Sequence, residues 1–273
     1  MSQDQHTKAE TLAALHAGPE VFVIPNPWDI GSTQILTAMD FKALATTSAG
    51  FAFSRGRLDG AVSRDQMLAH AAEIVAATPL PVSADLENGY GDAPQTVGET
   101  IHLAAATGLV GASIEDFSGG QDGRIYPFDL AVERIEAAVA AARSLDFPFA
   151  LTARTENFIR GRRDLDDTIK RLVAFEAAGA DILFAPGLPD LDAIRTVCQA
   201  LNKPVNVLMG QPGGTTSQLA DAGVRRISLG SALARTALGA FMAAASEIQT
   251  GSYTFIDGAA SFADISAHMR DTD

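Results

Sequence analysis

Short apolar runs alternate with longer amphipathic segments along almost the whole chain. The apolar runs are bounded by polar or glycine-containing loops, which is typical of strands that are buried on both faces. We predict eight such strands, at residues 21–25, 43–47, 82–87, 111–116, 149–154, 181–185, 205–209 and 226–229. Segments between them carry apolar residues three and four positions apart, which predicts helices with one buried face, for example at 64–77, 94–107, 128–144 and 164–178.

The alternation of strand and helix predicts an α/β fold with a parallel sheet. Eight βα units in 273 residues fit a (β/α)8 TIM barrel, in which the active site lies at the C-terminal ends of the strands. A doubly wound open sheet is the alternative, but no Gly-x-Gly-x-x-Gly sequence or phosphate-binding loop opens the first helix. We therefore predict one barrel domain over residues 1–273 and no nucleotide cofactor.

The chain continues beyond the eighth predicted strand as a helical tail, residues 232–273. An apolar helical pattern covers 232–248, and a weaker pattern covers 258–269. Two arrangements fit these patterns equally well: the tail docks on a neighbouring subunit, or it packs on its own barrel.

Composition and charge narrow the classes of partner. The formal charge of −13 argues against nucleic acid and against an anionic membrane surface, since both would repel such a field. One cysteine, Cys198, excludes a disulfide framework and fits a reducing compartment. No segment is long enough to span a bilayer, and residues 1–10 show no targeting pattern. A cytoplasmic location without a membrane partner is the prediction.

Acidic residues stand where two neighbouring predicted strands end. Asp85 and Glu87 are two positions apart, so a strand that continued to residue 87 would place both on one face. Glu115 and Asp116 close the next strand. Carboxylates crowded in this way repel one another unless a cation lies between them, and such oxygen ligands suit Mg²⁺ or Mn²⁺. The alternative is a solvated turn that caps the helix beginning near Pro94.

Six segments, in this order, resemble the isocitrate lyase and phosphoenolpyruvate mutase superfamily. They are Pro27-Trp28-Asp29, Thr46-Thr47-Ser48-Ala49-Gly50, Asp85-Leu86-Glu87-Asn88-Gly89-Tyr90-Gly91, Ser113-Ile114-Glu115-Asp116, Ala153-Arg154-Thr155-Glu156-Asn157 and Ala178-Gly179-Ala180-Asp181. The resemblance implies a (β/α)8 barrel whose C-terminal helix is exchanged between subunits. It also implies a homotetramer, assembled as a dimer of dimers, that acts on a small carboxylate substrate.

The resemblance further implies a Mg²⁺ cofactor, for which Mn²⁺ is a possible substitute. Asp85 would be the direct ligand. Glu87, Glu115 and Asp59 would act through water molecules of the hydrated ion, in agreement with the reluctance of Mg²⁺ to lose its water. Glu87 stands where many members of the superfamily carry aspartate.

Substrate-binding residues are also implied. The backbone amides and hydroxyls of Thr47, Ser48 and Ala49 would hold the substrate carboxylate. The other residues expected to bind substrate are Trp28, Asp29, Arg154 and Asn157.

Arg154 has the most direct chemical role among these residues. Breaking a carbon–carbon bond beside a carbonyl leaves an enolate, and a guanidinium near its oxygen stabilises that charge in the transition state. Glu115 and Asp59 complete the expected catalytic groups. Alternatively, Arg154 is a structural partner of Glu156 or Glu115.

One segment departs from the superfamily. The lyases carry a Lys-Lys/Arg-Cys-Gly-His loop after the fourth strand, whereas residues 117–124 read Phe-Ser-Gly-Gly-Gln-Asp-Gly-Arg here. The cysteine that serves the lyases as general acid is therefore missing, and the proton donor is unassigned. Gln121 and Arg124 faintly resemble the polar residues that hold the phosphoryl group in the mutases. Arg124 or Tyr126 would enter the site if this loop closes.

Other polar residues are expected to have structural roles. The five histidines lie away from predicted strand ends and are expected to pack rather than act as bases. The basic run 160–163 is expected to face solvent or to form salt bridges with the acidic residues at 164–167; the alternative is that it binds a second carboxylate of the substrate.

The combined prediction is a Mg²⁺-dependent lyase. It would cleave a carbon–carbon bond of a small 2-hydroxy or 2-oxo mono- or dicarboxylate through an enolate. Alternatives are a phosphonomutase acting on a phosphonopyruvate-like carbon–phosphorus bond, and an oxaloacetate-type decarboxylase or hydrolase. An alternative of another class is a non-catalytic protein that binds a 2-oxo acid.

Overall fold

Eight parallel strands form a nearly closed barrel in the computed structural model, which describes residues 3–119, 123–210 and 214–269. The strands are β1 (Phe22–Ile24), β2 (Leu44–Ala45), β3 (Val82–Asp85), β4 (Gly111–Glu115), β5 (Ala150–Arg154), β6 (Ile182–Phe184), β7 (Val205–Leu208) and β8 (Arg226–Ser228). Their order is β1-β8-β7-β6-β5-β4-β3-β2, and every paired neighbour is parallel. The predicted (β/α)8 barrel is confirmed, while the structure does not test exchange of the C-terminal helix.

The seam between β1 and β2 is held by single hydrogen bonds rather than by a ladder. The amide of Ala45 donates to the carbonyl of Pro25 at 3.0 Å, and the side chain of Asn26 donates to the carbonyl of Thr46 at 3.0 Å. The Asn26 carboxamide oxygen also accepts from the amides of Leu229 and Gly230, each at 2.9 Å. One buried asparagine therefore joins the first, second and eighth strands at the C-terminal rim.

Helices fill the connections between the strands and extend the chain at both ends. They are α1 (Gln3–Ala17), α2 (Ile30–Ala38), α3 (Ser48–Ser54), α4 (Arg64–Ala76), α5 (Pro94–Ala106), α6 (Phe128–Arg143), α7 (Leu165–Ala177), α8 (Leu191–Ala200), α9 (Thr216–Asp221), α10 (Ala232–Gln249) and α11 (Phe262–Ser266). Within the described ranges, no helix combines the length and the apolar character needed to cross a membrane.

The helix boundaries follow local capping signals, which explains why the predicted ranges lie close to the observed ones. Ser63 accepts from the amide of Gln66 to begin α4, and Asp164 accepts from the amide of Asp167 to begin α7. Pro94 occupies the first turn of α5, where its missing N–H costs nothing.

Helix α1 was not predicted from the sequence. It runs near the N-terminal ends of the strands, where Leu12 is fully buried. Its polar residues reach backbone carbonyls of the barrel: Gln5 donates to Leu109 at 3.0 Å, and Lys8 donates to Thr78 at 3.2 Å. Because buried polar residues interrupt the apolar face, the sequence lacks a clear amphipathic pattern here.

A buried histidine links α1 to the floor of the barrel. His16 Nδ1 lies 2.8 Å from the Leu12 carbonyl and therefore carries the proton, so Nε2 accepts from Arg226 at 3.2 Å. Arg226 also donates to Asn206 at 2.8 Å and to Thr152 at 3.0 Å. Burial, and then the Arg226 charge, lower the pKa of His16 from its usual 6.5 to about 3. The histidine thus packs as expected, and it is neutral in the folded chain.

Replacing His16 by glutamine is expected to reduce the loss of stability in acid. The unfolded chain binds a proton at this histidine below pH 6.5, whereas the folded chain does so only near pH 3, so stability falls as pH drops between these values. Protonation of this histidine in the unfolded chain alone lowers the free energy of unfolding by about 2 kcal/mol at pH 5. A glutamine keeps an oxygen acceptor for Arg226 and does not titrate.

Urea unfolding at pH 7.5 and pH 5 measures the effect. The decrease in the free energy of unfolding between pH 7.5 and pH 5 should be about 2 kcal/mol smaller in His16→Gln than in the wild type. His102→Gln, at an exposed position, is the matched control and should lose as much as the wild type. Equal losses in all three proteins would contradict the assignment of His16 as a buried neutral group.

The C-terminal tail leaves most of its apolar surface uncovered. Helix α10 confirms the pattern predicted at 232–248, and a 3₁₀ turn at Thr254–Gly258 followed by α11 replaces the weaker pattern. Only Ala234 of α10 is buried against the described residues. The large side chains left exposed in the tail include Leu238, Phe241, Met242, Ile248 and Phe262. The tail therefore does not bury its apolar residues on its own barrel.

Candidate active site

The C-terminal ends of β3, β4 and β5 bring an arginine and two carboxylates together. Glu115 and Arg154 are register partners on β4 and β5, and Asp85 ends the adjacent β3. The Arg154 guanidinium lies 3.5 Å from the Glu115 carboxylate and 3.8 Å from the Asp85 carboxylate. The guanidinium carbon Cζ lies 5.1 Å from the centroid of the Phe184 ring, so this residue of β6 makes a cation–π contact with Arg154.

A cavity of about 160 Å³ opens beside this cluster. Its lining includes the side chains or backbone of Thr47, Ser48, Ala49, Asp59, Asp85 and Arg154. Thr47 caps α3 by accepting from the amide of Gly50, and the Ser48 hydroxyl donates to Asp85 at 3.1 Å. The β2–α3 connection therefore faces the carboxylate cluster across a space that suits a small organic acid.

Glu87 reaches the cluster by a different route from the predicted one. Strand β3 ends at Asp85, two residues earlier than predicted, and Glu87 has a left-handed backbone with φ of 48°. Strand pleating therefore does not align these side chains, and that part of the prediction was wrong. The turn itself brings them close, since the amide of Glu87 donates to the Asp85 carboxylate at 3.2 Å.

The cluster contains more carboxyl groups than its nearby cations can neutralise. Burial, then Asp85 and Asp59, raise the pKa of Glu87 to about 8. Burial, then Glu156, raise the pKa of Glu115 well above its usual range, and burial and Asp85 raise that of Asp59. Crowding of like charges in a partly dry site thus favours protonation or an added cation.

The donor set fits a hydrated divalent ion. Glu87 Oε1 and the Tyr90 hydroxyl are buried and have no hydrogen-bond partner among the described residues. Within those same residues, no three Asp, Glu, His or Cys side chains converge closely enough to enclose a bare ion. Mg²⁺ requires few direct protein ligands because it retains several waters, and these waters would satisfy the unpaired oxygens.

Arg154 is both a partner of Glu156 and part of the cavity wall. Its Nε donates directly to Glu156, whose side chain is completely buried, while the guanidinium itself lines the cavity. Burial lowers the pKa of Arg154, but the charges of Glu156 and Glu115 raise it above its usual range. The arginine is therefore a permanent cation, which Glu156 orients toward the cavity.

The second member of the acidic pair on β4 has a structural role. Asp116 accepts from the Thr155 hydroxyl at 2.9 Å, from the amide of Glu156 at 2.8 Å and from Arg171 at 3.1 Å. These partners hold the end of β4 against the start of the β5–α7 loop. Asp116 thus fixes the backbone that carries Glu156.

Three residues assigned to substrate binding do not line the cavity. Asp29 is the N-cap of α2 and accepts from the amide of Ser32. Asn157 is fully buried and donates to Asp167 at 2.9 Å and to Thr168 at 3.1 Å, so it organises the β5–α7 loop. Trp28 is the third of these residues and is also absent from the cavity lining.

Trp28 lies directly behind the wall of the cavity. A Cβ atom at Gly50 would stand 3.1 Å from the Trp28 Cβ and 2.5 Å from the Thr47 Cγ2, so only glycine permits this close approach. Trp28 as a whole is half-buried. Because Trp28 is the single tryptophan of the chain, its fluorescence can report on ligand binding at the site.

The basic run splits into structural and site-facing residues. Arg162 forms a salt bridge with Asp167 at 3.1 Å, as expected for the run. Arg160 instead turns toward the cluster, where its Nε donates to Glu156 at 2.9 Å and its guanidinium stacks 3.7 Å from the Phe117 ring centroid. Sequence reasoning gave Arg160 only a secondary role because four basic or glycine positions in succession are typical of a solvated loop.

The loop after β4 is only partly described. Gln121 lies outside the described residues, and Arg124 is exposed. The Tyr126 hydroxyl donates to Asp92 at 2.6 Å and accepts from Asn88 at 3.0 Å. Tyr126 is therefore fixed in a buried hydrogen-bond network rather than free to enter the cavity.

A larger groove of about 600 Å³ lies at the opposite end of the barrel. It is lined by residues before the strands, including Arg143, Asp181, Lys203 and Arg225. Arg143 is paired with Asp181 at 2.6 Å, and the groove lacks a crowded carboxylate cluster. Chemistry rather than size therefore places the candidate active site at the C-terminal face, where active sites of such barrels lie.

The fold is a (β/α)8 barrel, and its C-terminal face carries a cluster of acidic groups and one oriented arginine. A sequence profile described as phosphoenolpyruvate phosphomutase matches residues 12–249. The chain belongs to this family, within the isocitrate lyase and phosphoenolpyruvate mutase superfamily of lyases and mutases.

Known relatives include several different activities. A crystal structure of a protein from Burkholderia cenocepacia J2315, provisionally assigned as a lyase or mutase, superimposes with a TM-score of 0.94 at 57% identity, covering 97% of this chain and 96% of that one. The 2-methylisocitrate lyase of Bacillus subtilis strain 168 is 27% identical over 80% of this chain and 72% of its own length. The oxaloacetate decarboxylase of Chromohalobacter salexigens is 29% identical over 84% and 80%, respectively.

Proposed function

We propose that this protein is a Mg²⁺-dependent lyase that cleaves a carbon–carbon bond of a small 2-hydroxy or 2-oxo carboxylate through an enolate. The observation that carries the proposal is the group of Asp85, Glu115 and Arg154 beside a cavity of about 160 Å³. A pocket that only binds a ligand does not require buried, crowded carboxyl groups, in which the ionised form is disfavoured. Such groups are useful where charge develops during a reaction.

Each residue of the cluster has a defined task in this reaction. Arg154 donates to the oxygen that becomes the enolate oxygen, and Glu156 keeps the guanidinium in place. Thr47, Ser48 and Ala49 bind the substrate carboxylate across the cavity. Preorganised donors of this kind favour the charged transition state over the neutral ground state.

Asp85, Glu87, Glu115 and Asp59 would hold the cofactor. When bound, Mg²⁺ or Mn²⁺ supplies Lewis-acid stabilisation of negative charge on the substrate oxygens. The unpaired Glu87 Oε1 and Tyr90 hydroxyl support a hydrated ion at this position. Tyr126 is not the proton donor to the enolate, because its hydroxyl is engaged with Asp92 and Asn88.

A substrate panel tests the proposal. Purified protein with Mg²⁺ is incubated with 2-alkylmalates, isocitrates, oxaloacetate and phosphonopyruvate, and products are followed by ¹H and ³¹P NMR. Metal-dependent cleavage of a 2-hydroxy acid supports the lyase. Loss of CO₂ from oxaloacetate favours the decarboxylase, which a relative at 29% identity makes the second candidate. Migration of the phosphoryl group favours the mutase, and metal-dependent binding without turnover favours a binding protein.

We further propose that a second copy of the chain covers the exposed face of α10, in a homotetramer built from dimers. The support is the apolar surface of Leu238, Phe241 and Met242, which is 40%, 70% and 61% exposed. Apolar groups concentrated on one helix mark an interface more often than a solvated surface.

Replacing Phe241 by glutamate is expected to dissociate the assembly. A charge at the centre of an apolar interface loses its hydration without gaining a partner. Light scattering coupled to size exclusion should show four chains per particle for the wild type and fewer for Phe241→Glu. Leu103→Glu, at an exposed apolar position of α5, is the control and should leave the mass unchanged. A monomeric wild type would contradict the proposal.

A further inference from the structure

Arg160 occupies the outer edge of the candidate active site. It follows β5 by six positions, and its side chain is 37% exposed. Two contacts fix its orientation: Nε donates to Glu156 at 2.9 Å, and the guanidinium stacks 3.7 Å from the centroid of the Phe117 ring. A guanidinium held by a carboxylate and an aromatic face loses little further freedom when it binds a ligand.

Most of the hydrogen-bonding capacity of Arg160 is unused. A guanidinium has five N–H donors, and among the described residues only Nε has a hydrogen-bond acceptor. The Glu115 carboxylate lies 4.0 Å from Nη2, which is beyond hydrogen-bond distance. The terminal nitrogens are therefore available for the bidentate contact that arginine makes with carboxylates.

Of the two arginines that face the cluster, Arg154 is occupied to a greater extent. Arg154 is 14% exposed and has carboxylates of Asp85, Glu115 and Glu156 around it. Arg162 is paired with Asp167, away from the cluster. Of the two arginines that face the cluster, Arg160 is therefore the one with free donors.

Glu156 connects the two site-facing arginines. One of its carboxylate oxygens accepts from Arg154 and the other accepts from Arg160 at 2.9 Å. The two guanidinium groups therefore lie on either side of a single carboxylate. A molecule whose reacting oxygen contacts Arg154 would reach Arg160 by extending past this carboxylate.

We propose that Arg160 binds a second carboxylate of the substrate and makes the site selective for 2-hydroxy or 2-oxo dicarboxylates. The inference rests on the proposed function, because it places the first carboxylate and the reacting oxygen at the Asp85–Arg154 cluster. A strongly acidic rim would otherwise repel a doubly charged substrate. Arg160 offsets this repulsion at the position where the second charge arrives.

Two matched probes isolate the second carboxylate. Malate and 2-hydroxybutyrate share the 2-hydroxy acid group, but 2-hydroxybutyrate has a methyl group in place of the C4 carboxylate. Their dissociation constants are measured through Trp28 fluorescence in the presence of Mg²⁺. Oxalate is a third probe, because its adjacent oxygens resemble those of an enolate of a 2-oxo acid and it lacks the extension toward Arg160.

The wild type should bind malate more tightly than 2-hydroxybutyrate. Arg160→Gln should weaken malate binding about tenfold or more, the usual effect of losing a charge-assisted pair, and should leave 2-hydroxybutyrate and oxalate within about twofold. Arg160→Lys should recover part of the malate affinity. Arg162→Gln is the matched control and should bind all three probes as the wild type does.

The outcomes separate this inference from the proposed function. If oxalate binds in a Mg²⁺-dependent way but Arg160→Gln leaves the preference for malate intact, the second-carboxylate site is wrong while the lyase proposal stands. The second-carboxylate site is also wrong, and the lyase proposal also stands, if the wild type shows no preference for malate. If oxalate shows no Mg²⁺-dependent binding to the wild type, the proposed function fails first and the inference fails with it. Equal weakening of all three probes in Arg160→Gln would assign Arg160 a purely structural role and overturn the inference.

Discussion

Replacing Asp85 by alanine is expected to lower kcat/KM by about a thousandfold or more. Asp85 ends β3 in the wall of the cavity, where it accepts from the Ser48 hydroxyl and lies 3.8 Å from Arg154. Its removal takes away the proposed direct ligand of a metal ion, which in the proposed reaction would supply Lewis-acid stabilisation of the enolate charge. The residual rate would depend on Arg154 alone.

The folded state should tolerate this change. Asp85 is one of the charges that raise the pKa values of Glu87 and Asp59, so its removal relieves repulsion within the cluster. The midpoint of thermal unfolding in the absence of metal should therefore stay the same or rise. A residue that served mainly to hold the fold would show the opposite result.

Metal binding provides a readout that is independent of turnover. Titration of Mn²⁺ by electron paramagnetic resonance should show one bound ion in the wild type and little binding in Asp85→Ala. Asp29→Ala is the matched control, because Asp29 is an acidic helix cap outside the cavity lining. If Asp85→Ala binds Mn²⁺ as tightly as the wild type, the assignment of Asp85 as ligand is wrong.

The sequence was sufficient to predict the barrel because the strands are short, apolar and evenly spaced. Each predicted strand overlaps an observed one, and capping residues such as Ser63, Pro94 and Asp164 set the helix starts. The same reasoning missed α1, since its buried face contains Gln5, Lys8 and His16. Those polar groups find partners only through tertiary contacts, and no local pattern reveals such partners.

The candidate site was predictable where function depends on strand ends and less so where it depends on turns. Glu115 and Arg154 are register partners and Asp85 ends the adjacent strand, so the parallel sheet places all three at one rim. Glu87 instead depends on a left-handed turn, which the strand pattern does not show. Asn157 looked similar in sequence to a substrate ligand, but its side-chain nitrogen donates to Asp167 and Thr168 in the loop.

Replacing Arg154 by methionine is expected to reduce kcat about a thousandfold and also to destabilise the fold. The transition state loses the cation nearest the developing enolate charge. Glu156, which is completely buried, keeps Arg160 but loses Arg154, and leaving one buried carboxylate oxygen without its donor costs about 1–3 kcal/mol. Urea unfolding and steady-state kinetics measure the two effects separately.

A double variant separates the catalytic role of Arg154 from the structural one. Adding Glu156→Gln to Arg154→Met removes the carboxylate charge that has lost this partner, so part of the lost stability should return. Activity should not return, because the glutamine supplies no cation to the cavity. If the double variant regains activity together with stability, Arg154 serves only as the partner of Glu156, and the enolate charge must be stabilised by the metal ion and the groups of the β2–α3 connection alone.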